Sequence, residues 1–363
     1  MTPYRLRQIC TAVCAAAPLL VADAIATSAT AQTAAETLYR ELSNLPAPER
    51  QKRLEDGARQ EGKLTFVHTL RARLGADHIG LFRKRYPFVA VDASDMGSQE
   101  ASERLVQEET AGRHLTDVLS LAIPDLDLIL ERRLLAENPT PATASILPQF
   151  RGFIDASSRW TPYYWSDFGI SYNTSIVPAD KAPKSWDDLC RPDFRGQVSF
   201  DGPNIRFLVG IYTMMGEDKT RAWIECIGKN KPIIQLGMPQ RFELMLAGDH
   251  AVQGQNFMYY CPAKKVQWPA APCALVLTAP VLGFAGAMVI NRNTIHPHAA
   301  ALLADWAPSE ESQLYLARAF RGPLSAKHPY LPPETKVVTY GLTGKAVVDK
   351  VLAWWDQYVT KAN

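Results

Sequence analysis

The chain has 363 residues, enough for two domains, and is 47% hydrophobic and 21% charged, which excludes a disordered or fibrous chain. Its 39 basic and 37 acidic residues leave a net charge of +2, so it offers neither a basic field for nucleic acid nor a strongly anionic surface.

The first residues read as an export signal. Arg5 and Arg7 give a positive start, Ile9 to Ile25 is mostly apolar, and Ala29-Thr30-Ala31 is an A-x-A cleavage site, which assigns 1–31 as a signal peptide and Gln32 as the first mature residue. Cys10 and Cys14 lack the Leu-small-small setting of a lipoprotein cysteine, so a soluble exported protein is expected. The alternative is an N-terminal membrane anchor, but the apolar run is shorter than the ~20 residues a span requires. Four cysteines then remain, and an oxidising compartment permits two disulfides. Cys261 and Cys273, which flank a short Pro-rich excursion, are the favoured pair and leave Cys190 with Cys226. Three connectivities stay open, as do free thiols.

Glu36 to Arg59 has a helical pattern interrupted at Pro46 and Pro48. After the turn Glu61-Gly62-Lys63, Leu64 to Val67 is a short apolar run with β-branched and aromatic residues, the pattern of a buried strand. It gives way to His68, Thr69 and Arg71, and a polar end on a buried strand that leads into a helix is where open α/β sheets bind ligands. This strand end is read as one wall of a cleft. Ala76 to Tyr86 continues as an amphipathic helix closed by Pro87, and Phe88 to Val91 is a second strand. Ser98 is placed as the N-cap of a helix over Glu100 to Ala111, Thr116 to Leu121 as a third strand and Asp125 to Leu135 as a third helix. The β-α-β-α-β-α order predicts a mainly parallel sheet with helices on both faces.

The second part of the chain repeats this logic with its own core. Trp160 to Tyr172 is aromatic and extended. Ser185-Trp186-Asp187-Asp188 is a capping box that predicts a helix start. Gln197 to Phe200 is a strand, followed by helices over Ile205–Met215, Lys219–Gly228 and Gln240–Ala247. A strand starting at Ala251 runs toward Tyr259 and Tyr260, Val281 to Ile290 is a long apolar strand, and Pro297–Trp306, Glu310–Phe320 and Lys345–Val359 are helical. Gly341 to Ala346 only faintly echoes a phosphate loop, and His296 and His298, beside Pro297, are read as solvent-facing.

Several pieces carry a resemblance by their order and spacing: Glu61-Gly62-Lys63-Leu64-Thr65-Phe66, Phe82-Arg83-Lys84-Arg85-Tyr86-Pro87 and the run from Ala111 to Val118. Further on come Ile170 to Thr174, Ala182 to Leu189, Phe194 to Val198, and His296-Pro297-His298-Ala299-Ala300. In these the chain resembles the extracellular solute-binding proteins of ABC importers, in the branch that includes ferric-iron, polyamine and phosphonate binders. The resemblance implies an α/β, two-lobed periplasmic-binding-protein-like fold of type II, with the ligand cleft between lobes joined by two hinge strands. Trp160–Tyr172 and Val281–Ile290 are then the hinge candidates, with 32–164 and 281–325 forming one lobe and 165–280 and 326–363 the other. It further implies a periplasmic protein that closes on its ligand, an ABC permease in the inner membrane as partner, a monomer, no cofactor and no catalysis.

Ligand candidates follow from residue chemistry. Arg71 falls near the place where iron binders that resemble this chain carry a metal ligand; a guanidinium there repels a cation and suits a carboxylate or phosphate. A solvated surface residue is the competing reading of Arg71, and a core histidine that of His68. Ser98 and Gln99 offer a helix start that suits an anion, and Asn204 and Arg206 repeat this from the opposite wall. Arg241 stands at a third helix start. Tyr259 and Tyr260 lie where iron-binding relatives supply phenolates to Fe(III), while adjacent strand tyrosines would face opposite ways. Trp165, Asp167 and Tyr172 are further cleft candidates, with core packing as the competing reading. A small organic or phosphorylated anion is the preferred ligand, with Fe(III) on Tyr259 and Tyr260 second. Rivals of another class are an exported enzyme on a similar scaffold, opposed by the lack of a visible nucleophile–base pair, and a receptor sensor domain, opposed by the lack of a later membrane segment.

Overall fold

The structure is a computed structural model that describes residues 32–70 and 72–361. The signal-peptide assignment, Cys10, Cys14 and Arg71 therefore lie outside the described residues. The chain opens with two helices, α1 (Ala34–Ser43) and α2 (Ala47–Glu61), divided where Pro46 and Pro48 were expected to break them. It then alternates β1 (Lys63–His68), α3 (Ala72–Arg85), β2 (Ala90–Asp95), α4 (Ser98–Thr110) and β3 (Val118–Ala122). β1 pairs in parallel with both β2 and β3.

The expected helix over Asp125–Leu135 shrinks to a 3-10 turn at Ile123–Asp125 and the short α5 (Asp127–Glu131). Arg133 adopts a left-handed φ of 54°, and the chain turns there so that Leu135 can bridge to Asn291. β4 (Thr161–Asn173) follows, then β5 (Val198–Phe200), α6 (Ile205–Met215), α7 (Glu217–Lys229), β6 (Ile233–Ile234), α8 (Met238–Ala247) and β7 (Val252–Phe257). The Ser185 capping box forms, with Asp188 N–H donating to the Ser185 hydroxyl at 3.3 Å, but it opens only a 3-10 turn over Asp187–Cys190. Pro192 follows at once and cannot extend a helix. The expected strand toward Tyr260 ends at Phe257; Tyr260 instead opens α9 (Tyr260–Gln267). β8 (Cys273–Val276), β9 (Val281–Ile290), α10 (Pro297–Trp306), α11 (Glu310–Arg318), β10 (Val337–Thr339) and α12 (Lys345–Trp355) complete the chain. Both favoured disulfides are formed, Cys190–Cys226 and Cys261–Cys273.

Among the described residues the strands form one ten-stranded sheet, with the order β2-β1-β3-β9-β4-β7-β5-β6 along its main path. β9 and β4 lie at its centre and run antiparallel from Thr161–Met288 to Phe168–Leu282. Beyond Phe168, β4 leaves β9 and pairs with β7 and β8, while the other end of β9 pairs with β3. The two strands thus cross from one half of the sheet to the other, the two-lobed arrangement. Every residue of both is buried. Two aromatic residues of β4, Tyr164 and Trp165, fit against β9 because β9 is small where they cross. A Cβ at Gly283 would stand 2.4 Å from Trp165 Nε1, and one at Gly286 would stand 2.6 Å from the Tyr164 ring. The first half has apolar cores on both faces, one around Phe66, Phe82 and Trp306 and one around Leu119, Phe150 and Trp165. The second half packs around Phe168, Phe200, Phe207, Trp223 and Trp355.

Buried polar groups knit the first half together. Asp117 is fully buried; its carboxylate accepts Thr65 N–H at 2.8 Å and the Thr294 hydroxyl at 2.7 Å, and lies 2.9 Å from His296 Nδ1. The Glu61 carboxylate accepts the His298 and Ala299 N–H groups at 2.9 and 2.8 Å, an anion on the first turn of α10. His296 and His298 are therefore structural partners of Asp117 and Glu61, not solvent-facing residues. Removing Asp117 strands a backbone donor and a buried hydroxyl, and an unpaired buried group costs ~1–3 kcal/mol each. Asp117→Ala is expected to lower the urea unfolding free energy by about 2–6 kcal/mol. A loss below ~1 kcal/mol would show that water replaces these bonds.

Candidate functional site

Residues on or just after three strands bring hydroxyls together. Thr69, just after β1, places Oγ1 2.7 Å from the Tyr164 hydroxyl of β4 and 3.3 Å from Ser120 Oγ of β3. Ser120 and Tyr164 are buried and Thr69 is half-buried. The residues after α11 close against the same place. Gly322 exchanges two backbone hydrogen bonds with Trp165, at 2.7 and 3.2 Å, which holds the preceding Arg321 beside β4. The Arg321 guanidinium lies 4.2 Å over the ring of Tyr259. Its charge acts on Tyr164, Asp167, Tyr260 and Tyr330, so it stands among them. Arg321 is half-buried and has no ion pair with any described residue.

Tyr259 and Tyr260 come from the second half. They sit at the start of α9, with ring centroids 4.6 Å apart in a T-shaped pair, so the helix start brings together rings that a strand would have separated. Phe257 stacks on Tyr259 at 5.7 Å, and Phe242 flanks Tyr260 at 5.5 Å. The Cys261–Cys273 disulfide follows immediately and ties α9 to β8. Burial, then the neighbouring Tyr259, holds the Tyr260 hydroxyl well above the usual phenol range, so it is neutral at ordinary pH.

The other sequence-named candidates are placed as follows. Ser98 is the first residue of α4, with Gly97 as the N-cap; its hydroxyl accepts Ala122 N–H at 2.9 Å, tying α4 to β3. Gln99 is exposed. Asn204 caps α6 through Phe207 N–H at 3.1 Å, which occupies its side-chain oxygen. Arg206, in the first turn of α6, makes a bidentate ion pair with Asp125 and lies 5.3 Å over the Phe284 ring. Arg241 is fully buried in the second half, donating to Gln255 O at 2.9 Å; burial lowers its pKa to about 10. His68 is buried and its pKa is lowered by that burial. Trp165 packs on Phe150 and Tyr172 joins the second-half core.

Asp167 lies on β4 and is 1% exposed. Its carboxylate accepts the Tyr330 hydroxyl at 2.7 Å and lies 3.8 Å from His328 Nε2. Thus the structure gathers Thr69, Tyr259, Tyr260 and Arg321 with Ser120 and Tyr164, and sets Arg241 and Tyr172 into packing. Ser120, Asp125, Tyr164, Phe284 and Arg321 were not singled out from sequence. The usable signals were a serine inside an otherwise apolar strand and an Arg-Gly-Pro run at a helix end. Among the described residues no group of three His, Cys, Asp or Glu side chains is arranged to hold a metal.

Burial pushes the Asp167 carboxyl up to about 6, against the pull of the Tyr330 hydrogen bond. The folded value is above the unfolded one, so the neutral acid is the form that favours folding. That stability is present below pH ~4 and is lost as pH rises through ~6. Asp167→Asn cannot ionise. Between pH 4 and pH 7 the parent is therefore expected to lose roughly 3 kcal/mol of urea-measured stability relative to Asp167→Asn. Parallel pH profiles for the two proteins would rule out a raised carboxyl.

A family model described as bacterial extracellular solute-binding protein matches residues 126–341, more than half of the chain. No curated protein matches the chain by sequence. Among solved structures, iron-bound HitA from Pseudomonas aeruginosa superposes with a TM-score of 0.68 at 17% identity, covering 82% of this chain and 99% of HitA. AfuA from Actinobacillus pleuropneumoniae, with exogenous fructose-6-phosphate bound, gives 0.66 at 16% identity, covering 82% of this chain and 99% of AfuA. The ferric binding protein from Campylobacter jejuni gives 0.66 at 15% identity, covering 81% of this chain and 99% of that protein. At these identities the likeness speaks for the fold, while the family match speaks for the class. The chain belongs to the family of bacterial extracellular solute-binding proteins.

Proposed function

We propose that this protein captures a small anionic organic or phosphorylated solute between its two lobes and delivers it to an ABC permease of the inner membrane. The lobes are 32–164 with 281–325 and 165–280 with 326–363, the protein acts as a periplasmic monomer, and its work is binding and closure without chemistry. Arg321 carries the reading. It is a half-buried guanidinium stacked on Tyr259, beside the hydroxyls of Tyr164 and Tyr260 and without an ion pair among the described residues. A cation so placed is satisfied by a bound carboxylate or phosphate, which it can grip with two parallel hydrogen bonds. Thr69, Ser120 and the tyrosines add hydroxyls for the rest of the solute. The fructose-6-phosphate bound to AfuA is a solute of this chemistry on the same fold. Arg71, read from the sequence as an anion contact, belongs to the same proposal.

A thermal-shift panel of organic acids, sugar phosphates, phosphonates and Fe(III) is expected to raise the melting temperature with concentration for one anion class. For the best ligand, Arg321→Ala should weaken binding about 10- to 100-fold by calorimetry, the worth of a charge-assisted hydrogen bond. Unchanged affinity would remove Arg321 from the site. A second reading, Fe(III) held by Tyr259 and Tyr260, is favoured by the 4.6 Å approach of their rings and by the iron bound to HitA. It is opposed by the Arg321 cation 4.2 Å over Tyr259. A visible charge-transfer band on adding Fe(III), absent from Tyr260→Phe, would establish it in place of the anion.

A further inference from the structure

Asp125 and Arg206 meet from opposite halves of the sheet. Asp125 ends the 3-10 turn that follows β3, a strand paired with β1 and β9. Arg206 stands in the first turn of α6, which follows β5, a strand paired with β6 and β7. Their contact is bidentate: Nη2 faces Oδ2, and Nε lies 3.2 Å from Oδ1. The side chains retain only 33% and 20% exposure, so the pair is partly withdrawn from water. The arginine is also held from three other sides. Asn204 caps the helix that carries it, the Tyr340 hydroxyl donates to its backbone oxygen at 2.7 Å, and the Phe284 ring lies beneath its guanidinium.

We infer that the Asp125–Arg206 pair is a latch that draws the two lobes together before any solute arrives. The chain between these residues passes through β4, so rotating one lobe about β4 and β9 separates the two groups. A pre-oriented bidentate pair partly withdrawn from water outweighs an ion pair between fully exposed side chains. The latch also commits Arg206 to an internal carboxylate. It would therefore bias the empty protein toward the closed form.

The test uses no ligand, so its outcome is independent of the Arg321 reading. Small-angle scattering of the purified protein at low salt is compared for the parent, Asp125→Asn, and the exchange variant Asp125→Arg with Arg206→Asp. Asp125→Asn is expected to raise the radius of gyration by about 1 Å on the roughly 20 Å of a compact chain this long. High salt should move the parent in the same direction. The exchange variant should return to the parent value, which separates loss of the latch from loss of the fold, with far-UV circular dichroism as a check on folding. Identical scattering for the parent and Asp125→Asn would overturn the inference. So would an exchange variant that stays expanded while folded.

Discussion

The antiparallel pairing of β4 with β9 is the constraint on which the other features depend. Both strands are buried along their whole length and hydrogen-bond to each other across the middle of the sheet. Such a pair has to satisfy its buried polar groups internally, and here it also has to accept two large rings, which Gly283 and Gly286 make room for. Because Tyr164 can lie on Gly286, its hydroxyl lands beside Thr69 and Ser120. Trp165 packs on Gly283 while its backbone exchanges hydrogen bonds with Gly322, and that fixes where Arg321 stands. The polar chemistry of the cleft is thus a consequence of small residues on an apolar strand.

Strand β4 also carries a buried ionisable group. Asp167 is a carboxylate within a sheet core, and its partners come from the segment after α11: Tyr330 by a hydrogen bond and His328 nearby. His328 is itself kept neutral, its pKa lowered by burial to about 3, while its Nδ1 accepts the Leu331 N–H at 3.3 Å. A neutral histidine and a phenol stabilise a buried acid less than a cation would, which is why the acid stays hard to ionise. The arrangement links the return segment to β4, and Arg321, a few residues earlier in that segment, shares the field of the same carboxylate.

Much of the fold was legible in the sequence, for reasons that can be named. β9 and the helices α6 and α10 carry strong local signals: an unbroken apolar run, an Asn cap, a Pro at the first helical position. The Asp125–Leu135 segment failed as a helix because Arg133 had to turn left-handed to bring Leu135 to Asn291, a demand set by tertiary contact. Ser98 looked like a cap, but its hydroxyl was needed at Ala122, 24 positions away. The site was less legible than the fold. Asn204 was correctly placed at a helix start, but nothing local showed that capping consumes its oxygen. Arg321 was missed because its significance comes from a ring that lies far off in the chain, at Tyr259.

The two arginines of the cleft differ in one respect, and that difference bears on the ligand. Arg206 reaches a carboxylate across the cleft and is neutralised by it. Arg321 stacks on an aromatic face beside hydroxyls; it feels the field of the Asp167 carboxyl but forms no ion pair among the described residues. A cation over a tyrosine ring gains about 0.5–2 kcal/mol, far less than the hydration a guanidinium gives up on burial, so the site retains an unmet demand for negative charge. A ferric ion in the same place would add positive charge beside that guanidinium and would have to ionise Tyr260, whose phenol burial keeps protonated. An anion satisfies the guanidinium and leaves the tyrosines neutral as donors. The electrostatics around Arg321 therefore support the proposed anionic solute over Fe(III).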